Sequence, residues 1–448
     1  MKELERIVGG EHVRPGAVVG DVAVAGRAAR ALVLPGSAEE VAAVVGWCYA
    51  RGVPIVPVGG RSGLAGGAAV QDGGAIAIGL ERLRAVRSFD PLLWRIEAEA
   101  GATTHHLARV ARESGLWFPP DPGAPEQSQL GGMIACNAGG PHSLKYGVTG
   151  SWVTGIEAVL APGELVRIGG PVRKDVAGYD LRALLCGAEG TLGIVTSAWL
   201  RLIPAREAQL PVLATFPAAA AGCAAIERVL GSGIEAAALE YVDAAALALA
   251  PLPADARGGG ARPAFAVLAE ADGSASEARR VRADLLDALA AGATAVLAPQ
   301  DARGIAALWR WRAGISHAVA AARGTKLSDD IAVPLDRLAD AIGEVVAIGA
   351  RHGLEACSWG HAGDGNLHAA FLLTPGDEQQ RARADAAAGQ VFDLALRLGG
   401  TVTAEHGIGT LKRGQLSRQW APAAVAAHRA IKAALDPKGL FNPGKKEP

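Results

Sequence analysis

The chain has 448 residues, half of them apolar, which is enough to build two or three domains with hydrophobic cores of their own. Lys and Arg (44) nearly balance Asp and Glu (45), and the formal net charge of −1 argues against a nucleic-acid partner or an acidic membrane surface. Five widely spaced cysteines without a C-x-x-C pair argue against an iron–sulfur centre, a zinc ribbon or a disulfide framework. With neither a signal peptide nor a transmembrane segment evident, a reducing cytoplasm is the expected location.

The first predicted elements are a helix and a strand within residues 35–64. Ser37 is a predicted N-cap with Glu40 three residues later, and Gly52 is predicted to end the helix. Residues 53–58 form a short apolar run typical of a buried strand. A glycine-rich loop therefore begins directly after a strand.

The remaining pattern predicts an α+β fold in three parts. Short, Gly-punctuated strands continue to about residue 205, and Ala-rich helices such as 274–292 and 337–352 then alternate with strands. Residues 254–263, "ADARGGGARP", read as a surface loop. We expect domains at 1–205 and 206–400, followed by a C-terminal segment, 401–448.

Three segments combine tight turns with small residues: "PVGGRSGLAGGA" (57–68), the stretch 119–147 and the stretch 178–196. None contains the Rossmann or Walker spacing of glycines. A run of small residues after a strand lets backbone N–H groups converge on an anion, and a pyrophosphate fits that chemistry. For the first loop alone, glycines that merely serve turns are an equally good interpretation.

Together these segments resemble the flavin domain of the vanillyl-alcohol oxidase/p-cresol methylhydroxylase (PCMH) superfamily. Over residues 30–205 and 305–445 the chain is similar to its FAD-linked D-2-hydroxyacid dehydrogenases and oxidases. The resemblance implies a PCMH-type FAD-binding domain, an α+β substrate (cap) domain, and a C-terminal segment that returns to the flavin. "LAPG" (160–163) departs from the usual L-A-D-G of relatives, a turn difference expected to be neutral for flavin binding.

The resemblance also implies which residues hold FAD. The pyrophosphate would be wrapped by Val58, Gly59, Gly60, Arg61, Ser62, Gly63 and Leu64. The ribityl and isoalloxazine parts would be lined by Pro120, Asp121, Gly131, Gly132, Asn137, Gly139 and Gly140. The adenine end would be held by Gly193, Ile194 and Val195, and the C-terminal contact would be Asn442. Relatives that tether flavin covalently often use a histidine in the first loop. This loop has none, so noncovalent FAD is expected.

"HAGDGNLH" (361–368) places two histidines around a run of turn-forming residues. If residues 363–366 form the turn, Ala362 pairs with Leu367 and His361 lies opposite His368, close enough for one metal ion. "TAEHGIG" (403–409) offers Glu405 as a third ligand and His406 as a base. The alternative is two histidines without a ligand role, but both segments match motifs by which the family binds a divalent metal, expected to be zinc, and places a histidine base.

Cationic residues that could hold a substrate carboxylate lie in 308–334. Arg312 and Ser316 are four residues apart, hence on one helical face, and Lys326 begins the next strand. By resemblance these three match the family's substrate-anchoring residues, with Ser in place of Thr. The alternative is that Arg310, Arg312 and Lys326 are solvated surface charges, while Trp309 and Trp311 are expected to be packing residues.

The resemblance therefore implies FAD-dependent oxidation of a D-2-hydroxy acid (glycolate, D-lactate or D-2-hydroxyglutarate class), with metal-assisted binding, a His406 base and hydride transfer to flavin N5. Two alternatives stay open: a noncatalytic FAD-binding subunit of an oxidase complex, and a flavin-dependent ether-lipid-type transferase. Electrons must pass to an external acceptor or a partner subunit, because iron–sulfur cysteines are missing. A homodimer and a peripheral membrane location through the acceptor are further expectations.

Overall fold

The computed structural model describes residues 1–253 and 262–448, so most of the predicted surface loop 254–263 lies outside the described residues. The chain divides into two compact units. The first contains Met1–Gly140, Val148–Ala205 and Glu405–Pro448, and the second contains Pro141–Gly147 and Arg206–Ala404. None of the helices in the described ranges combines the length and the apolarity needed to cross a membrane.

Both units contain strands and helices. The strands are β1 Val13–Pro15, β2 Ala31–Val33, β3 Ile55–Val58, β4 Ile76–Gly79, β5 Val86–Asp90, β6 Arg95–Glu99, β7 Leu116–Trp117, β8 Val153–Leu160, β9 Glu164–Gly169, β10 Ile194–Arg201, β11 Ile203–Pro204, β12 Ala208–Phe216, β13 Ala238–Asp243, β14 Phe265–Gly273, β15 Ala295–Leu297, β16 Thr325–Ala332, β17 Ala356–His361 and β18 Asn366–Leu373. The helices are α1 Lys2–Val8, α2 Ala38–Arg51, α3 Thr104–Arg112, α4 Leu130–Cys136, α5 Ser143–Tyr146, α6 Leu181–Leu185, α7 Ala219–Gly231, α8 Ala244–Leu249, α9 Ala275–Ala290, α10 Ala302–Arg323, α11 Leu338–Arg351, α12 Glu378–Arg397, α13 Leu416–Gln419 and α14 Pro422–Leu435.

The first unit contains two main sheets. One has the order β1-β2-β4-β3, with β4 parallel to both β2 and β3, and the other is antiparallel with the order β5-β6-β10-β8-β9. Buried Ile55, Ile76 and Ile78 of the first sheet pack with Val41 and Val44 of α2. The glycine loop that follows β3 is therefore anchored on a packed strand.

The predicted start and end of α2 are confirmed. The Ser37 hydroxyl accepts a hydrogen bond from the N–H of Glu40, and Gly52 adopts the left-handed conformation that ends the helix. The Glu40 carboxylate in turn accepts from the N–H of Gly36 at 2.6 Å. The strand after the helix is shorter than predicted and begins at Ile55.

The second unit has an antiparallel seven-stranded sheet with the order β15-β12-β14-β13-β17-β18-β16. The helices predicted at 274–292 and 337–352 are α9 and α11, and Ser274, the first residue of the predicted range, is the N-cap of α9. Buried Leu308, Ile315 and Val319 of α10 pack against Leu268 and Trp359 of the sheet. Residues of α10 and of β13, β17 and β18 therefore line a common interior.

The predicted register of the 361–368 hairpin is wrong. Residues 362–364 form a short 3₁₀ turn rather than a two-residue hairpin turn, and His368 lies opposite Trp359 instead of opposite His361. Because side chains alternate between the two faces of a strand, a slip of two residues leaves both histidines on the same face. Their rings are edge-on, with centroids 5.6 Å apart.

The close approach of β17 to β18 beside the histidines gives a stability prediction. A Cβ at Gly360 would lie 2.2 Å from the carbonyl oxygen of Asn366, so Gly360→Ala must force the strands apart. We expect it to lower the free energy of unfolding by about 1–3 kcal/mol, measured by urea unfolding.

Gly343→Ala is the matched control for that substitution. A Cβ at this exposed position of α11 meets no atom within 4 Å. Since Ala favours the helix over Gly, this variant should be neutral or more stable by about 0.5–1 kcal/mol. Similar effects of the two substitutions would contradict the packing argument.

Candidate active site

The proposed pyrophosphate loop, 58–64, lies against the second glycine-rich segment. A Cβ on Gly59 would lie 3.5 Å from Cα of Gly132, and one on Gly60 would lie 1.9 Å from the carbonyl oxygen of Gln127. The Ser62 and Ser128 hydroxyls are 3.1 Å apart. Sequence segments some 70 residues apart thus form one small-residue surface.

This surface has the features of a nucleotide cradle. A Cβ on Gly132 would meet no atom within 4 Å, so the backbone there faces open space. Beside it, the side-chain oxygen of Gln129 is buried without a hydrogen-bond partner in the described part of the chain. A buried acceptor of this kind suits a ligand N–H or O–H group, and the residues present therefore fit FAD.

Other predicted flavin residues lie around the end of α4. Asn137 adopts a left-handed conformation there, and its side-chain oxygen accepts a hydrogen bond from the N–H of Gly150 at 2.8 Å. A Cβ at Gly140 would lie 2.2 Å from the carbonyl oxygen of Asp121, so these two segments also approach closely. Pro120 is buried, and Gly139 is partly buried.

The predicted adenine end has a different environment. Ile194 and Val195 are buried in β10 and pair with β8, and a Cβ on Gly193 would lie 2.7 Å from the Leu160 side chain. The absence of a side chain at Gly193 therefore allows this segment to pack closely against Leu160 of β8. These side chains therefore pack within the sheet, and the place of the three residues at the adenine end stays a prediction.

Asn442 holds the glycine loop through its side chain. Its amide nitrogen donates to the carbonyl oxygens of Gly67 (3.0 Å) and Glu189 (2.8 Å), while its oxygen accepts from Lys445. The carboxylate of Glu189 accepts hydrogen bonds from the N–H groups of Ile408 and Gly409. Buried polar contacts thus fix the segment that follows His406.

The three predicted metal ligands lie together. Each of His361, His368 and Glu405 offers a ligand atom, and these atoms lie within 4.8 Å of one another. Both histidines are buried, and Glu405 is partly buried. Two imidazoles and one carboxylate form a donor set typical of zinc and similar divalent ions, so the residues fit a divalent metal.

The residues just before Glu405, Thr403 and Ala404, are held in place by hydrogen bonds to Asp330. Asp330, which lies opposite His368 in the β16–β18 pairing, is fully buried. Its carboxylate accepts hydrogen bonds from the Thr403 hydroxyl at 3.0 Å and from the N–H of Ala404 at 2.6 Å. The residues before Glu405 are therefore tied to the strand that neighbours His368.

Glu240 of β13 contacts two of the predicted site residues. Its Oε1 lies 2.6 Å from Nδ1 of His361, and its Oε2 lies 2.5 Å from Nη2 of Arg312. The contact with Arg312 is an ion pair, but the angles between Nη2 and Oε2 do not meet those of a hydrogen bond. Burial alone would raise the pKa of Glu240, but the positive charge of Arg312 and the hydrogen bond from His361 hold it below its ordinary value.

Arg312 and Lys326 are not solvated surface charges. Arg312 is 8% exposed, whereas Arg310 on the same helix is exposed. Lys326 donates to the Ser316 hydroxyl at 2.7 Å, and its ammonium lies 4.4 Å from the centre of the Trp359 ring. Burial lowers the pKa of Lys326 to about 8.

The side chain of the predicted base His406 is 7% exposed and lies next to Glu405. Its Nε2 lies 3.7 Å from Oε1 of Glu405. The two side chains are therefore close together, although adjacent side chains in an extended segment usually point to opposite faces. The packing roles predicted for two tryptophans are confirmed. Trp309 donates to Glu270 and Trp311 donates to the carbonyl of Ala250, and both pack against the core beneath α10.

Sequence reasoning missed three residues of these sites. Glu240 and Gln129 carry no local motif, and their neighbours are distant in sequence. Asn366 lies inside "HAGDGNLH", where the sequence predicts only a turn residue. It begins β18 on the same face as His368, and its side-chain oxygen is buried without a hydrogen-bond partner among the described residues. A polar residue two positions before a predicted ligand was the available signal.

Comparisons with known proteins agree with this architecture. The family model "FAD binding domain" matches residues 29–169, and "FAD linked oxidases, C-terminal domain" matches residues 206–446. The chain is 33% identical to glycolate oxidase subunit GlcD of Bacillus subtilis (strain 168), over 93% of this chain and 88% of the relative. It is 36% identical, with the same coverage of both chains, to D-2-hydroxyglutarate dehydrogenase of Xanthomonas citri pv. viticola.

A solved structure supports the fold. p-Cresol methylhydroxylase with substrate bound superposes with a TM-score of 0.81 at 17% identity, covering 99% of this chain and 95% of that chain. The PCMH-type fold expected from the sequence is therefore confirmed. The chain belongs to the FAD-linked oxidases and is an FAD-dependent oxidoreductase.

Proposed function

We propose that this enzyme oxidises a D-2-hydroxy acid to the corresponding 2-oxo acid and passes the electrons to an external acceptor or a partner subunit. The observation that carries the proposal is the His361, His368 and Glu405 cluster in an FAD-linked oxidase. A hydroxy acid can bind a metal through its carboxylate and hydroxyl oxygens. Names of relatives point to glycolate and D-2-hydroxyglutarate as members of the substrate class, and the sequence resemblance adds D-lactate.

The domain assignment follows from this function. We assign residues 1–205 to FAD binding, 206–400 to substrate binding, and 401–448 to completion of the active site and flavin domain. The compact units support this division, with the chain leaving the second unit at Ala404.

Each group has a distinct chemical task. Bound FAD would supply a hydride acceptor at N5, and a divalent metal such as zinc, held by His361, His368 and Glu405, would supply a Lewis acid. Arg312 and Lys326 bind negative charge on the substrate, with Ser316 orienting the lysine. His406 accepts the hydroxyl proton as the general base. The substrate thus loses one proton and one hydride.

The rival functions leave part of the site without a use. A noncatalytic FAD-binding subunit needs neither the metal-type cluster nor a buried arginine and lysine. The chain does superpose on alkyldihydroxyacetonephosphate synthase with a TM-score of 0.76, but at 19% identity this supports only a shared fold. Substrate oxidation is therefore the function that uses the whole site.

Removing a metal ligand should separate metal binding from flavin binding. We expect Glu405→Gln and His368→Ala to keep the flavin absorbance but to lose bound metal and at least about 100-fold in turnover. Metal analysis and anaerobic flavin bleaching measure both losses. His105→Ala, on the exposed face of α3, is the control. Full turnover of the ligand variants after chelation would contradict the assignment.

Noncovalent FAD is tested by acid precipitation of the yellow protein. The loop 57–68 lacks the histidine that tethers flavin in some relatives. We expect FAD to stay in the supernatant, measured by its absorbance. Colour that remains with the precipitate would refute noncovalent binding.

The low pKa of Lys326 predicts a pH-dependent KM. The ammonium is charged below about pH 8 and loses its charge above it, whereas an ordinary lysine stays charged to about pH 10. We expect KM to rise about fivefold between pH 8 and 9, because neutral Lys326 no longer attracts the carboxylate. Lys326→Arg remains charged and should show a flat KM over this range. The same rise in both proteins would exclude Lys326 as its cause.

A further inference from the structure

We propose that Glu240 is a positioning residue that fixes both a metal ligand and the substrate-binding arginine. This inference rests on the proposed function, because it acts through His361 and Arg312. Glu240 belongs to β13, more than 100 residues from His361 and 72 residues before Arg312 in the sequence. One carboxylate thereby joins two groups that belong to different elements of the second unit.

The contact with His361 determines which ring nitrogen would be available to a metal. An ionised carboxylate can only accept hydrogen bonds, so Nδ1 of His361, 2.6 Å from Oε1, must carry the proton. In a neutral imidazole the lone pair is then on Nε2. Carboxylate–histidine contacts of this type orient metal ligands and make them more basic. Glu240 thus prepares Nε2 of His361 for coordination.

The second carboxylate oxygen holds the arginine. Nη2 of Arg312 lies 2.5 Å from Oε2 of Glu240, while Nε of Arg312 is buried without a hydrogen-bond partner among the described residues. The guanidinium is therefore held at one nitrogen and keeps a donor for another anion. A substrate carboxylate is the anion that the proposed reaction brings to this site.

Sheet geometry fixes Glu240 between its two partners. It lies directly opposite His361 in the β13–β17 pairing, and its side chain is fully buried. Arg312 reaches the carboxylate from α10, which packs over this face through Leu308 and Ile315. Neither partner can move away from Glu240 without uncovering a buried charge, which is costly.

A neighbouring carboxylate provides a matched control. Glu270 on β14, also fully buried, contacts His142 at 2.9 Å, Arg206 at 3.3 Å and Trp309 at 2.6 Å. Its partners are again a histidine and an arginine, but neither belongs to the metal-type cluster. Substitution of Glu270 therefore reports the structural cost of losing a buried carboxylate in this sheet.

The test compares Glu240→Gln with Glu270→Gln in the FAD-loaded protein. The metal probe is Zn²⁺, titrated against a chromogenic chelator, and unfolding midpoints are measured in parallel. Both variants should be less stable, but only Glu240→Gln should weaken Zn²⁺ binding, by about 10- to 100-fold. It should also raise KM for the hydroxy acid about tenfold, because Arg312 loses its anchor.

Two outcomes separate this inference from the proposed function. If Glu405→Gln weakens Zn²⁺ binding and Glu240→Gln does not, Glu240 is structural only and the inference fails. If the wild-type protein binds no Zn²⁺, the proposed metal site fails and the inference fails with it.

A measurement on the wild-type protein covers the case in which Glu240→Gln does not fold. NMR of protein labelled with ¹⁵N-histidine should show neutral His361 with its proton on Nδ1. A proton on Nε2 would overturn the inference.

Discussion

The packing of the second unit depends on one buried negative charge, the Glu240 carboxylate, which needs a polar partner at each of its two oxygens. The Glu240 carboxylate is fully removed from solvent and keeps a lowered pKa only because Arg312 and His361 contact its two oxygens. Removing either partner would leave a charge uncompensated in the core. The pairing of β13 with β17 and the packing of α10 are therefore constrained together, and the site residues inherit that constraint.

A second series of side-chain contacts begins at His368. The His368 ring lies 5.8 Å from the Trp359 ring, which in turn lies beneath the Lys326 ammonium, and Lys326 donates to Ser316. One histidine is thus connected to an arginine and the other to a lysine. The two imidazoles are placed to bind a divalent metal, and the arginine and the lysine are placed to bind a carboxylate. A hydroxy acid that chelates the metal needs both kinds of group.

The sequence predicted the parts of the site that are local. "HAGDGNLH" and "EHGIG" carry their ligands within a few residues, and the alternation of strand side chains kept His361 and His368 on one face even though the predicted register was wrong by two. Glu240 could not be predicted, because only the strand order of the sheet brings it opposite His361. Gln129 was missed for the same reason, since its surroundings come from a loop some 70 residues earlier.

We propose that these residues present a D-2-hydroxy acid to the flavin. Anaerobic titration of the FAD-loaded enzyme with glycolate, D-lactate, D-2-hydroxyglutarate, D-malate and L-lactate, followed at the flavin absorbance band, tests it most directly. We expect at least one of the first four acids to bleach the flavin and L-lactate to leave it oxidised. A flavin that dithionite reduces but none of those four acids bleaches would contradict it.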